Sequence, residues 1–544
     1  MVSLYSDRGG NIAIVAALIA VPLVVGVATA LDLSTINRTK SELQSALDSA
    51  ALAIAREGKD ISDRRADEIA SEFLRANFLG TKPSHRVVRS AGSVRVEGSV
   101  AAQMAFAGVV GYQDWQITSA STAELAFSSY EVALVLDTTG SMKGGKLASM
   151  QDAVVGLVDS MSKGVNDPEK LKFTLVPFAS FVNVGPQFAP KINAKGKVVN
   201  GTGAAWLDTK GVSDIPQLEL KKGVSRFEVY HRLGHSWNGC VETRVPKPKA
   251  KASARHDVAD TPPKKSDKRS LFVPAFAIDE PDAPGFSNSY IVSDADPLDK
   301  SVKGEIKKLN KYGLDGAAIM GTTGGDDEDD DEADDDESSS GATNTGSGSL
   351  ITPSGMSETI GPNAGCDVQS ITPLTSDYNL IRKKVGELQA NGTTNIMEGV
   401  AWGMRALSPG EPFTEGAAPA GDIEKIMIVL TDGANNFGNA PNSLGSSYSS
   451  DGFLVDGRLG IAAGGSSSTT GIMNERTLAA CTNAKADGIK VYTIRLEEPD
   501  VATGYMLKEC ASGDDHFFDV PSRGQLDNVF DEIGKRITKV RLSS

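Results

Sequence analysis

The chain has 544 residues, 40% of them hydrophobic and 23% charged, so about two or three ordinary domains with real cores are expected. Its formal net charge is -15, and residues 326–337 alone hold eleven acids and one alanine. Nucleic acid is therefore not an expected partner, because phosphate contacts need clustered Lys and Arg.

Residues 11–31 are apolar apart from Asn11, Thr29 and the tolerated Pro22 and Gly26, long enough for a helix that spans a bilayer. A short cytoplasmic N-terminus, residues 1–10, would precede it. Arg8 gives a weak positive-inside bias, so everything after Asp32 is expected outside. Ala28-Thr29-Ala30 has the form of a signal-peptidase site, but the apolar run is longer than a usual signal and little positive charge precedes it. Arg8-Gly9-Gly10 looks like the start of a prepilin-type signal, yet Val15 stands where such a signal has Glu, so no processing is expected.

Leu43, Leu47, Ala50, Ala51 and Ile54 recur at helical spacing, which carries the helix past the membrane. Residues 87–127 alternate and are rich in Val, Ala and Thr, which predicts short strands. Residues 32–128 thus form a helical stalk with a small pilin-like α+β segment.

Residues 132–136 are a continuous apolar run, the pattern of a strand buried on both faces of a parallel sheet. The run ends in Asp137-Thr138-Thr139-Gly140-Ser141. Ligands of open α/β sheets bind at the carboxyl ends of strands. A carboxylate and two hydroxyls at i, i+2 and i+4 on such a loop suit a hard cation such as Mg²⁺. Further on, Asn391-Gly392-Thr393-Thr394-Asn395 precedes a helical stretch, 396–406, and the apolar run 426–430 ends in Thr431-Asp432-Gly433. Helices are expected over 147–161, 377–388, 475–486 and 526–537, and strands over 171–177, 491–496 and 516–520. Their alternation implies an α/β fold with a doubly wound parallel sheet.

About two hundred residues separate the strand near Phe173 from the helix near Leu380, so the α/β domain, residues 129–190 and 366–544, carries an insertion at 191–365. Within it, an ordered piece is expected around Trp237 to Arg244, followed by a basic low-complexity stretch at 247–269, the acid run and a Gly/Ser/Thr stretch at 338–349. Residues 438–468 read either as a partner-contact loop or as a floppy insertion. The four cysteines, Cys240, Cys366, Cys481 and Cys510, make no CxxC pair, and an even number beyond a membrane segment fits two disulfides. Three connectivities are open; Cys240 with Cys366 would tie the insertion to its exit, and Cys481 with Cys510 would staple neighbouring elements.

The Asp137–Ser141 loop, the Thr-Asn before a helix and the strand ending in Thr-Asp-Gly resemble, in that order, the von Willebrand factor A family and its metal-ion-dependent adhesion site. The resemblance implies a metal shell of Asp137, Thr139, Ser141, Thr394 and Asp432, with Thr393 in place of Thr394 if the loop is misplaced by one. Thr139 stands where the family more often has Ser. The implied cofactor is a divalent cation, Mg²⁺ first and Mn²⁺ or Ca²⁺ as substitutes, with one position left open for an acidic residue of a partner. Arg8-Gly9-Gly10, the apolar helix, Asp32, and Leu43-Gln44 through Ala53 resemble the TadE/TadG-like assembly proteins of the tight-adherence (Flp) pilus. Trp237-Asn238-Gly239-Cys240, Pro373-Leu374-Thr375 and Cys510-Ala511-Ser512 resemble its TadG-type members. This implies a bacterial inner-membrane protein, periplasmic or surface-exposed in its bulk, that contacts other pilus machinery or surface proteins. A minor-pilin-like structural component with a passive A domain is the alternative. An enzyme is not expected. The five histidines, His85, His231, His235, His256 and His516, lie in no HExxH, and neither GxSxG nor a Walker A loop occurs, which leaves a metal-dependent hydrolase with little support.

Overall fold

The computed structural model describes residues 9–57, 61–78, 83–89, 93–103, 114–124, 129–163, 165, 167–215, 217–247, 249–284, 286–321, 360–419, 423–538 and 542–543. The acid run and the Gly/Ser/Thr stretch lie outside them. The chain divides into two compact units, residues 1–128 with 535–544, and residues 129–534.

In the N-terminal unit, the first helix α1 (Gly9–Glu57) runs unbroken through Pro22. Its first half carries exposed Leu18, Ile19, Val21, Leu23, Val24, Val25, Val27, Leu31 and Leu33, and α1 is long and apolar enough to cross a membrane. Its second half buries Leu43, Leu47, Ala50, Ala51, Ile54 and Ala55 on one face. Helix α2 (Asp63–Asn77) is capped by Ser62, whose hydroxyl accepts the Arg65 amide, and buries Ala66, Ile69, Ala70 and Leu74. Strands β1 (Ser84–Arg89), β2 (Ser93–Gln103) and β3 (Asp114–Glu124) form an antiparallel sheet, extended by Leu542–Ser543 against β3. Val94, Val96, Val100 and Ala102 alternate into the core. Gly98 shares their face, and a Cβ there would sit 2.9 Å from Leu47, so the missing side chain lets α1 close on the sheet.

The second unit opens with β4 (Ser129–Asp137), α3 (Gly145–Lys163) and β5 (Leu171–Phe178). An insertion follows with β6 (Val182–Asn183), α4 (Arg226–Arg232), β7 (Cys240–Glu242), β8 (Val273–Pro274), α5 (Val302–Lys311) and α6 (Gly316–Met320). The chain then returns through β9 (Thr372–Thr375), α7 (Tyr378–Gly386), α8 (Ile396–Ala406), β10 (Ile423–Thr431), α9 (Ser466–Ala486), β11 (Ile489–Leu496), α10 (Val501–Cys510), β12 (Phe517–Val520) and α11 (Leu526–Thr538).

The main sheet has the order β12-β11-β10-β4-β5-β9. Its pairs are parallel except β9, which runs antiparallel to β5. Residues 132–136 and 426–430 are wholly buried, as continuous apolar strands covered on both faces must be. Helix α8 lies over β4, β5 and β10 and comes close because it has glycines there: a Cβ on Gly403 would meet Val135 at 2.6 Å, and one on Gly399 would meet Phe178 at 2.6 Å.

The insertion is more ordered than its composition predicts. β6, β7 and β8 make a small antiparallel sheet, and Trp206, Phe227, Tyr230, Trp237, Phe276 and Tyr290 bury themselves in one core with Ala133, Val135, Val176 and Phe178 of the main sheet. The basic stretch 247–269 is no solvated low-complexity run, since His256, Asp257, Val258 and Ala259 are buried. Buried irregular backbone must find hydrogen bonds. The Arg244 guanidinium supplies them, donating to the carbonyls of Thr261 at 2.7 Å and Ser270 at 3.1 Å.

Residues 438–465 are likewise packed rather than floppy, with Leu444, Phe453 and Leu454 buried. Helix α9 begins at Ser466 rather than Glu475, because Thr469 and Met473 pack inward and extend its buried face. Helix α10, which the sequence did not predict, is capped by Asp500, whose carboxylate accepts the Thr503 amide at 2.7 Å. Disulfides join Cys240 to Cys366 and Cys481 to Cys510, one of the three connectivities the sequence left open; the second ties α9 to α10.

Candidate metal centre

Strands β4 and β10 are parallel neighbours in a register that sets Leu136 beside Leu430, so Asp137 and Thr431-Asp432 leave the sheet together. Backbone hydrogen bonds fix the loops that follow. The Thr138 amide donates to Phe178 O at 2.9 Å, and Asn391 N donates to Thr138 O at 2.8 Å. Gly140 N donates to Gly392 O at 3.0 Å, and Asn436 N donates to Thr394 O at 2.8 Å. Three chain segments far apart in sequence are thus locked before any ligand arrives.

Their side chains converge. The Asp137 carboxylate accepts the Thr139 amide at 2.8 Å and the Thr431 hydroxyl at 2.6 Å. The Ser141 hydroxyl donates to Asp432 at 2.5 Å and lies 3.0 Å from the Thr139 hydroxyl. Lys146 Nζ meets the other Asp432 oxygen at 2.7 Å. Thr394 belongs to the same cluster: a Cβ on Gly433 would lie 3.5 Å from its Oγ1 and 3.6 Å from Ser141 Oγ. Thr394 is buried, whereas Thr393 is partly exposed and turns its methyl toward Gly438.

Burial, reinforced by the neighbouring Asp432 carboxylate, pushes the Asp137 carboxyl up to about 6. Asp137 makes no ion pair among the described residues, so the one cation on these two acids is Lys146. Both hydroxyls are donors and acceptors at once, and can donate to a carboxylate while turning a lone pair elsewhere. No three His, Cys, Asp or Glu side chains cluster as a shell among the described residues. The donors are instead two carboxylates and three hydroxyls, an all-oxygen set that fits a hard divalent cation. A cleft lined by Thr139, Ser141, Thr393, Thr394, Asn435 and Asn436 among others opens over them.

Two asparagines matter here: Asn395, already part of the Thr-Asn before α8, and Asn435, which the sequence did not single out. Asn435 accepts the Ile396 amide at 2.9 Å and donates to Asn474 and Thr477, joining the Asp432 loop to α8 and α9. Asn395 caps α8 and donates to Ser450 at 3.1 Å. The only signal for Asn435 was an Asn pair directly after Thr-Asp-Gly-Ala.

Residues 10–57 match the model of a putative Flp pilus-assembly family, TadE/G-like. The match covers most of α1 and no part of residues 129–534. No curated protein matches the chain. Among solved structures, the chain is similar to the pilus adhesin SpaC from Lactobacillus rhamnosus GG, at 10% identity and a TM-score of 0.31 over 84% of this chain and 34% of that one. The chain thus spans about a third of SpaC. It is also similar to the vWF domain of the type V pili tip protein Mfa5 from Porphyromonas gingivalis (10% identity, TM-score 0.30, 76% of this chain, 95% of that one). A third likeness is to the PilB minor pilin from Streptococcus sanguinis (10% identity, TM-score 0.33, 85% and 79%). At this level of likeness neither fold nor function carries over.

Proposed function

We propose that this chain is a membrane-anchored protein of a bacterial pilus system that holds a protein partner through a divalent cation. On this reading the 129–534 unit is a doubly wound von Willebrand factor A-type domain of TadG type with a large insertion. Asp137, Thr139, Ser141, Thr394 and Asp432 hold the cation, Mg²⁺ or its substitutes Mn²⁺ and Ca²⁺. An Asp or Glu of another pilus or surface protein completes its coordination in the cleft. The convergence of the Asp137 and Asp432 loops, with three hydroxyls between them, carries the reading. The family match over α1 supports the pilus setting. Arg8 before the apolar run is matched by Arg38 and Lys40 after it, so charge does not set the orientation. The two disulfides support a periplasmic bulk, since disulfides persist in an oxidising compartment.

The test is thermal unfolding of the full chain in detergent, with Mg²⁺ or Mn²⁺ against a chelator, for the wild type, Asp137→Ala and Asp432→Ala. A cation that binds only the native state adds about 2.7 kcal/mol at a hundredfold excess over its Kd. Stabilisation of the wild type alone supports the site. No shift with any divalent ion overturns it and leaves a minor-pilin-like component with a passive domain.

A further inference from the structure

We propose that Trp115 rests in the headgroup region of the bilayer beside α1, so that one end of the small N-terminal sheet touches the membrane. This contact is independent of the metal centre and requires only that α1 crosses the bilayer.

The orientation follows from contacts within the unit. Five residues, 58–62, join α1 to α2, so the two packed helices run antiparallel. Asp63 pairs with Arg89 at 2.7 Å and Asp67 with His85 at 3.0 Å, so β1 runs antiparallel to α2. Arg89 therefore lies at the C-terminal end of α1. β2 turns back from there, pairing Val94 with Arg89 and Ser99 with Ser84, and its last residues head toward the apolar half of α1. Trp115 sits at that end, opposite Ala102.

The level can be estimated. Gly98 touches Leu43 and Leu47, and its partner Ser119 donates to Gln44. Four strand residues separate Gly98 from Ala102, about 13 Å at 3.3 Å each. That distance is about nine residues of helix. It brings Trp115 level with Ile36, which packs partly against this same core. On α1 this is where character changes. Leu31 and Leu33 are exposed apolar residues, and Arg38 and Lys40, both exposed, follow within two turns.

The side chain fits the place. Trp115 shares the face of Ala102 and Ile117, which are 2% and 5% exposed, yet its own exposure is 56%. The other three tryptophans, Trp206, Trp237 and Trp402, are buried. A single exposed apolar residue usually needs no explanation. Here it stands beside a candidate membrane span at the level of its flanking cations, where an indole gains by placing its ring among acyl chains and its N–H among headgroups. The sequence joining β2 to β3, residues 104–113, has no charged side chain.

The test uses the full chain reconstituted into phosphatidylcholine–phosphatidylglycerol vesicles whose acyl chains carry bromine near the headgroup. Wild type and Trp115→Phe are compared after flotation. Bromolipid is expected to quench the wild type, and Trp115→Phe should lose most of the quenched intensity while keeping its metal-dependent stability. Equal quenching of both floating proteins overturns the contact and leaves the metal reading intact. A chain that fails to float overturns the anchor and the contact together.

Discussion

Two buried carboxylates in the 129–534 unit meet opposite fates. Glu242, in the insertion, is held by the Arg226 guanidinium at 2.7 Å, by Arg458 at 2.9 Å and by the Tyr448 hydroxyl. Burial works against its charge, but the two guanidiniums outweigh it and keep the carboxyl below its ordinary range. Asp137, at the end of β4, is as deeply buried and is met by the Thr139 amide and the Thr139 and Thr431 hydroxyls but by no cation among the described residues; burial and Asp432 push it up to about 6. An acid completed by the protein's own cations is a structural joint. An acid left without one, on a rigid loop beneath an open polar cleft, is where an external cation has something to gain.

Removing each acid should separate the two roles. Glu242→Ala strands two buried guanidiniums, and loss of one partner of such a network costs about 3–5 kcal/mol. That loss should be the same in Mg²⁺ and in chelator, read from denaturant midpoints of the full chain. Asp137→Ala should instead lose only the metal-dependent gain, about 2.7 kcal/mol at a hundredfold excess of cation over Kd. In chelator it should match or exceed the wild type, because an unfavourably buried charge is gone. If Asp137→Ala is as damaged in chelator as Glu242→Ala, the contrast collapses and Asp137 is another joint.

Glu280 shows a third outcome. Its oxygens accept the Asn288 and Asn442 amides at 2.6 Å each, while Lys311 is engaged by Glu219 and Asp279. Burial pushes its carboxyl up to about 7, and Glu219 and Asp279 add like charge. The folded pKa lies above the unfolded value of about 4.3. The native state therefore gains stability from the proton, fully below about pH 4, and loses it as pH rises through 7. Glu280 should account for about 2 kcal/mol of the stability that metal-free wild type loses between pH 5 and 8, with Asp137 adding its own share, and Glu280→Gln should reduce the loss by that amount. An unchanged slope in Glu280→Gln would assign the loss to other groups.

What was legible in the sequence follows from the same physics. The strands under the site were readable because runs such as 132–136 and 426–430 need burial on both faces, and each ends in a polar loop. Their partnership in space was not, since the Leu136–Leu430 register joins residues nearly three hundred apart. The insertion misled because composition reports only what a segment can bury locally. Its order comes from distant supports: the Cys240–Cys366 bridge, Trp206 set edge-on to Phe272, and arginines serving loop carbonyls. Helix α10 has a buried face of only Thr503, Gly504, Met506, Leu507 and Cys510, too short for periodicity to reveal.

Lys146 gives the smallest test and the most specific one. Its ammonium sits 2.7 Å from an Asp432 oxygen, partly exposed at the rim of a site built for positive charge. It either holds Asp432 in place for the cation or competes with the cation for the same carboxylate. Competition follows from charge: a divalent ion beside Asp432 must tolerate or displace a like-charged neighbour. Lys146→Met keeps the stem and removes the charge. It should tighten Mg²⁺ by up to about tenfold, about 1.4 kcal/mol, in a titration of thermal stability. A weaker site in Lys146→Met would show that the lysine orients Asp432 for the cation rather than competing with it.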